Sequence, residues 1–127
     1  MHWMCPNCRR HWLRQARAAA AVERRIVVGI DLIGLRNIAP NNRSFAHTRR
    51  RFGVDVRQAD DCMRVARRYG DRRAITANMT WPALVALSAP DMPDAMREHL
   101  ELRVIMGERL SAAEIRKAGA HREIRAS

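Results

Sequence analysis

A chain of 127 residues carrying 24 basic and 13 acidic side chains has a formal charge of +11, and its length fits one domain that can bury a modest core without disulfides. No apolar run approaches the roughly 20 residues that cross a bilayer, and residues 1–10 lack the apolar stretch of an export signal, so a cytoplasmic protein is expected. Three cysteines, an odd number, argue against a disulfide framework.

The first chemically loaded stretch is "HWMCPNCRRH", in which His2, Cys5, Cys8 and His11 recur at every third position. "CPNC" is the sequence of one zinc knuckle, whose turn aims two thiolates at a single metal, and His2 and His11 would complete a Cys2His2 set. Pro6 argues against a helix here, so residues 1–11 are expected to form a short irregular leader. Two other readings stay open: redox work by the Cys-x-x-Cys pair, for which the usual βαβ context is missing, and a leader that binds nothing.

Few strand-formers alternate, and Ala, Leu, Met, Arg and Glu dominate, so the expected fold is all-α, a small helical bundle. A first helix is expected from about His11 to Arg36, with Val22, Ile26, Ile30 and Ile33 on its buried stripe. "NIAPNNRS" is turn chemistry, with Asn42 or Ser44 as the next cap. A short helix then ends near Phe52, Gly53 supplies the left-handed turn residue, and Asp55 caps a helix running to about Tyr69. Its inward residues are Val56, Ala59, Cys62, Met63, Ala66 and Tyr69, with Arg57, Gln58, Asp61, Arg64, Arg67 and Arg68 toward solvent.

After a polar break at residues 70–73, Thr80 caps a short apolar helix with Pro82 in its first turn, stopped by Pro90. The next helix packs Met96, Leu100 and Val104, with Leu102 and Ile105 as further inward candidates, and Gly107 ends it. Ser111 and Glu114 form a capping box for a last helix that carries Ile115 and ends at Gly119. Met63, Met92, Met96 and Met106 read as core filling, and Trp81 as a core anchor. The expected division is a Cys/His leader (1–11), a basic helical region (12–73), a neutral packing region (74–119) and a tail (120–127).

"IVVGIDLIGLR", "FAHTRRRFGVDVRQADDCMRVARRYG" and "MTWPALVALSAPDMPDAMREHLELRVIMGERLSAAEIRKA" together resemble a helical family of phage and plasmid proteins that has no firmly assigned activity. The likeness spans roughly residues 22–118. The order of a helix-turn-helix followed by a helix pair is also similar to the central DNA-binding part of ParB-type plasmid partition proteins. That second likeness implies DNA binding in the bacterial cytoplasm or nucleoid.

The charge is placed to suit such a role. Residues 1–73 hold seventeen arginines against six acids, whereas residues 74–127 hold seven basic and seven acidic residues. A field of that sign draws a polyanion, either nucleic acid or an acidic protein surface. Lys117 is the only lysine; arginine suits bidentate phosphate contact, although arginine-biased codon usage gives the same composition.

In a helix-turn-helix the second helix enters the major groove with its N-terminal side chains on base edges. Arg57, Gln58 and Arg64 have the chemistry to read bases, and Arg49, Arg50, Arg51, Arg67 and Arg68 to hold phosphates. Asp60 and Asp61 count against this docking. A homodimer is expected, because paired half-sites give a single motif enough contact. The competing class is a protein-interaction module, such as a phage-type inhibitor or accessory factor seated on an acidic host protein. No catalytic set stands out, so no enzyme is expected. His47, His99 and His121 stand singly, and Trp3, Trp12 and Trp81 are too far apart for a stacking platform.

Overall fold

The computed structural model describes residues 5–120, and among them the chain is all-α, with seven helices and no strand. The helices are α1 (Pro6–Ile38), α2 (Asn42–Arg51), α3 (Val56–Tyr69), α4 (Arg73–Thr76), α5 (Trp81–Leu87), α6 (Asp94–Ile105) and α7 (Ala112–Ala120). His2, Trp3, His121 and the tail from residue 121 lie outside the described residues.

The irregular leader is corrected from Pro6 onward. Pro6 occupies the first helical position, where its fixed φ suits the helix and its missing N–H would have had no partner. Cys5 is the N-cap, and its Sγ accepts from the Cys8 amide at 3.1 Å. Residues 6–19 of α1 are exposed throughout, and packing begins only where the helix reaches the body.

There α1 is the spine, with its most extensive packing against α3. The buried stripe is Val22, Ile26, Gly29 and Leu32, so the expected Ile30 is corrected to a half-exposed position and Ile33 is only partly covered. The stripe is narrower than the apolar residues suggest because Gly29 lets the two helices approach: a Cβ there would overlap the Cys62 carbonyl and Ala66.

Two apolar clusters hold the bundle. The larger joins Val22 and Ile26 of α1 to Val65 and Tyr69 of α3, Leu84 and Leu87 of α5, Leu100 and Val104 of α6, and Ile115 of α7. The smaller is Leu32, Phe45, Ala59 and Met63, which seats α2 against α1 and α3. The basic and neutral stretches of sequence therefore share one core.

The caps follow local chemistry. Asn41, rather than Asn42 or Ser44, caps α2 by accepting from the Ser44 amide at 2.8 Å. Gly53 (φ 73°) and Gly107 (φ 102°) take the left-handed conformation that glycine adopts freely. Thr80 caps α5 and Ser111 accepts from the Glu114 amide at the start of α7. Gly119 does not end α7; it lies inside the helix against Met92.

Four further inward assignments are corrected. Val56, Leu102, Ile105 and Met106 are exposed, Met106 at 78%. Val56 sits ahead of the α1 crossing, and the other three lie at the end of α6 where no neighbouring helix covers them. The polar break hides α4, whose Ile75 is fully buried. Arg97 is 4% exposed: its guanidinium donates to the carbonyls of Leu87, Ala89 and Met92 and to Asp94, which holds the α5–α6 connection closed.

Candidate nucleic-acid interface

α2 and α3, joined by the turn through Gly53, carry all eight residues expected to meet DNA. Asp55 and Gln58 form a full capping box: the Asp55 carboxylate accepts from the Gln58 amide at 2.8 Å, and Gln58 Oε1 accepts from the Asp55 amide at 3.0 Å. Gln58 is therefore tied to the helix start, with its carbonyl oxygen already engaged. Beyond it, α3 buries Ala59, Cys62, Met63, Val65, Ala66 and Tyr69 and exposes Arg57, Asp60, Arg67 and Arg68.

Three grooves border this exposed face, and they differ in charge. At the N-terminal half of α3, Arg57, Arg64 and Arg116 line a groove with Asp60, Asp61 and Asp91, over apolar Val85, Ala86 and Met92. The charges there balance. At the C-terminal half, Arg64, Arg67, Arg68, Arg72 and Arg97 gather around a second groove in which Asp94 is the one acid. The third, between α1, α2 and α3, brings Arg36, Arg49 and Arg67 to Asp60.

Several of these arginines already have internal work. Arg64 pairs with Asp61 at 2.8 Å, and its Nε is buried without a hydrogen-bond partner among the described residues. Arg72 reaches Glu101 at 3.2 Å, and Arg49 donates to the Val54 carbonyl at 2.7 Å, bracing the turn. Arg36 stacks over Phe45. Arg67 and Arg68 are exposed and hold no ion pair among the described residues. Both sit in the last turn of α3, where positive charge also complements the helix dipole.

The expected residues thus separate. Arg64, Arg67 and Arg68 share one basic groove, Arg49 meets Arg67 in the next, and Arg57 stands among aspartates. Arg50 and Arg51 lie exposed at the end of α2, outside all three grooves. Sequence reasoning missed Arg36 and Arg72. Arg72 lies beyond the end of α3, so helical spacing could not place it beside Arg64 and Arg68; the turn between α3 and α4 does.

At the far end of the chain, Cys5 and Cys8 are joined through the first turn of α1, and His11 lies exposed one turn further along. Among the described residues no three His, Cys, Asp or Glu side chains are grouped to hold a metal ion. None of their helices is long and apolar enough to cross a membrane. Comparison of the chain with models of known protein families, with curated proteins and with solved structures gave no match in any of the three.

Proposed function

We propose that the protein binds double-stranded DNA through the α2–α3 helix-turn-helix, with the C-terminal half of α3 as its main phosphate contact. The observation that carries this reading is the basic groove at the C-terminal half of α3, where Arg67 and Arg68 stand exposed with no ion pair among the described residues, beside Arg64, Arg72 and Arg97. Such a concentration of guanidinium groups neutralises phosphates and releases their counterions. The balanced charge around Arg57 gives base reading a smaller part, so the binding is chiefly to the backbone. Self-association to a homodimer accompanies it, supported by Leu102, Ile105 and Met106 standing exposed on one side of the end of α6. An anisotropy titration with a labelled duplex tests the reading: affinity falls steeply between low and moderate salt, and absence of binding at low salt removes it.

One observation favours a second reading, a protein-interaction module of the phage inhibitor or accessory type. The groove between α3, α5 and α7 combines alternating charges with an apolar floor, a surface suited to a polypeptide more than to a phosphate chain. Co-purification of one acidic partner by a protein that ignores DNA would select it.

A further inference from the structure

Cys5 and Cys8 stand at the start of α1, three residues apart, and their sulfurs are in contact at 2.6 Å. The Cys8 amide donates to the same sulfur at 3.1 Å. Cys8 is exposed, Cys5 is half-buried, and the adjoining residues 6–19 of α1 are exposed, so dissolved reagents have access. Cys62, the third thiol, is buried in the bundle beside the α1–α3 crossing. Arg9 and Arg10 follow directly, and the positive end of α1 lies under the pair.

We propose that Cys5 and Cys8 form a redox-active dithiol that exchanges reversibly with glutathione disulfide, Cys5 attacking first and Cys8 resolving. This activity is independent of the DNA reading. The hydrogen bond shared with the Cys8 sulfur, then the amides of Cys8 and Asn7, hold the Cys5 thiol below its ordinary value, while the same shared bond pushes the Cys8 thiol up. Cys5 is therefore the more readily deprotonated of the two and the better first nucleophile.

The exchange balances in two displacements. The Cys5 thiolate attacks one sulfur of glutathione disulfide; a Cys5–glutathione bond forms, the glutathione S–S bond breaks, and one glutathione thiolate leaves. Cys8 then gives its proton to solvent and attacks Cys5 Sγ, which forms the Cys5–Cys8 disulfide and expels the second glutathione thiolate. The protein dithiol is oxidised by two electrons and one glutathione disulfide is reduced to two thiols. Reduced glutathione reverses both steps.

The test uses the full chain, equilibrated in glutathione buffers of graded ratio, quenched in acid, alkylated under denaturing conditions and weighed intact. The expected result is that Cys5 and Cys8 are protected together as one internal disulfide with a single midpoint, while Cys62 is alkylated at every ratio. Before oxidation, native alkylation near neutral pH is about 10-fold faster at Cys5 than at Cys8. Cys8→Ser accumulates a glutathione adduct on Cys5, and Cys5→Ser accumulates none on Cys8 under the same conditions. Separate adducts with no internal disulfide at any ratio, equal alkylation of the two thiols, or equimolar zinc that blocks exchange at both would each overturn the proposal.

Discussion

Gly29 of α1 lies against the backbone carbonyl of Cys62 in α3, at the point where the two most extensively packed helices cross. An added Cβ would overlap that oxygen and the Ala66 side chain, both held in the core. Gly29→Ala is therefore expected to destabilise by about 1–3 kcal/mol even after alanine's better helix propensity is credited. Gly34 is on the same helix with open space around it. Gly34→Ala is expected to stabilise by about 0.5–1 kcal/mol. Urea midpoints of the two variants, measured side by side, should move in opposite directions.

Arg97 offers a second contrast. Its side chain satisfies three backbone carbonyls and one carboxylate from a buried position, whereas its ionic partner Asp94 is 89% exposed. Arg97→Met strips the carbonyls of Leu87, Ala89 and Met92 of a charged donor and is expected to cost about 3 kcal/mol. Arg97→Lys keeps the charge but not the fork that reaches all of them, and recovers little of that loss. Asp94→Asn should change stability by less than about 1 kcal/mol, as for other exposed ion pairs. Chemical denaturation of all three separates a buried backbone clasp from a surface salt bridge.

Tyr69 predicts an alkaline limit. It is fully buried, and burial first, then the neighbouring Glu101 carboxylate, push its phenol far above the ordinary 10.0; the hydroxyl faces that carboxylate without a well-formed hydrogen bond. The unfolded chain releases this proton as pH passes 10.0 while the folded chain keeps it, so the contribution to stability is intact below that pH and is lost as pH rises above it. Cys62, whose thiol is also raised by burial, adds a loss of the same sign. In Tyr69→Phe only the tyrosine part disappears. Its stability near pH 7 should lie within about 1 kcal/mol of the wild type, and its decline above pH 10 should be shallower when followed by thermal melts.

These contrasts also show what the sequence made legible. Gly53, Asp55 and the Ser111–Glu114 box were readable because caps and left-handed turns depend on residues a few positions apart. Ile30 was misplaced because its spacing fits a helical stripe as well as Gly29 does, and only the approach of α3 decides between them. The helical course of residues 6–11 turned on reading Pro6 as a breaker when its position made it a starter. At the candidate interface, the arginines were visible as a charge imbalance, but their division into balanced and unbalanced grooves depends on Asp91, Asp94 and Arg116, which arrive from the α5–α6 connection, the start of α6 and α7.

That division yields the sharpest expectation for DNA binding. Arg67 and Arg68 border the basic groove with no internal ion pair among the described residues, while Arg57 shares its groove with three aspartates. If the duplex lies along the C-terminal half of α3, Arg67→Ala with Arg68→Ala lowers affinity for every sequence alike and reduces the slope of log affinity against log salt by about 2. Arg57→Ala moves the slope by less than 1 unit, roughly, because its charge is already offset. Gln58→Ala loosens the start of α3 and shows itself in stability, with a cap loss of about 1 kcal/mol, before any change of sequence preference. Salt titrations of the wild type and these variants on two unrelated duplexes measure all of this. A wild-type slope unaffected by loss of Arg67 and Arg68 would move the contact elsewhere on the molecule, and sequence preference abolished by Arg57→Ala alone would return the N-terminal end of α3 to the role of base reader.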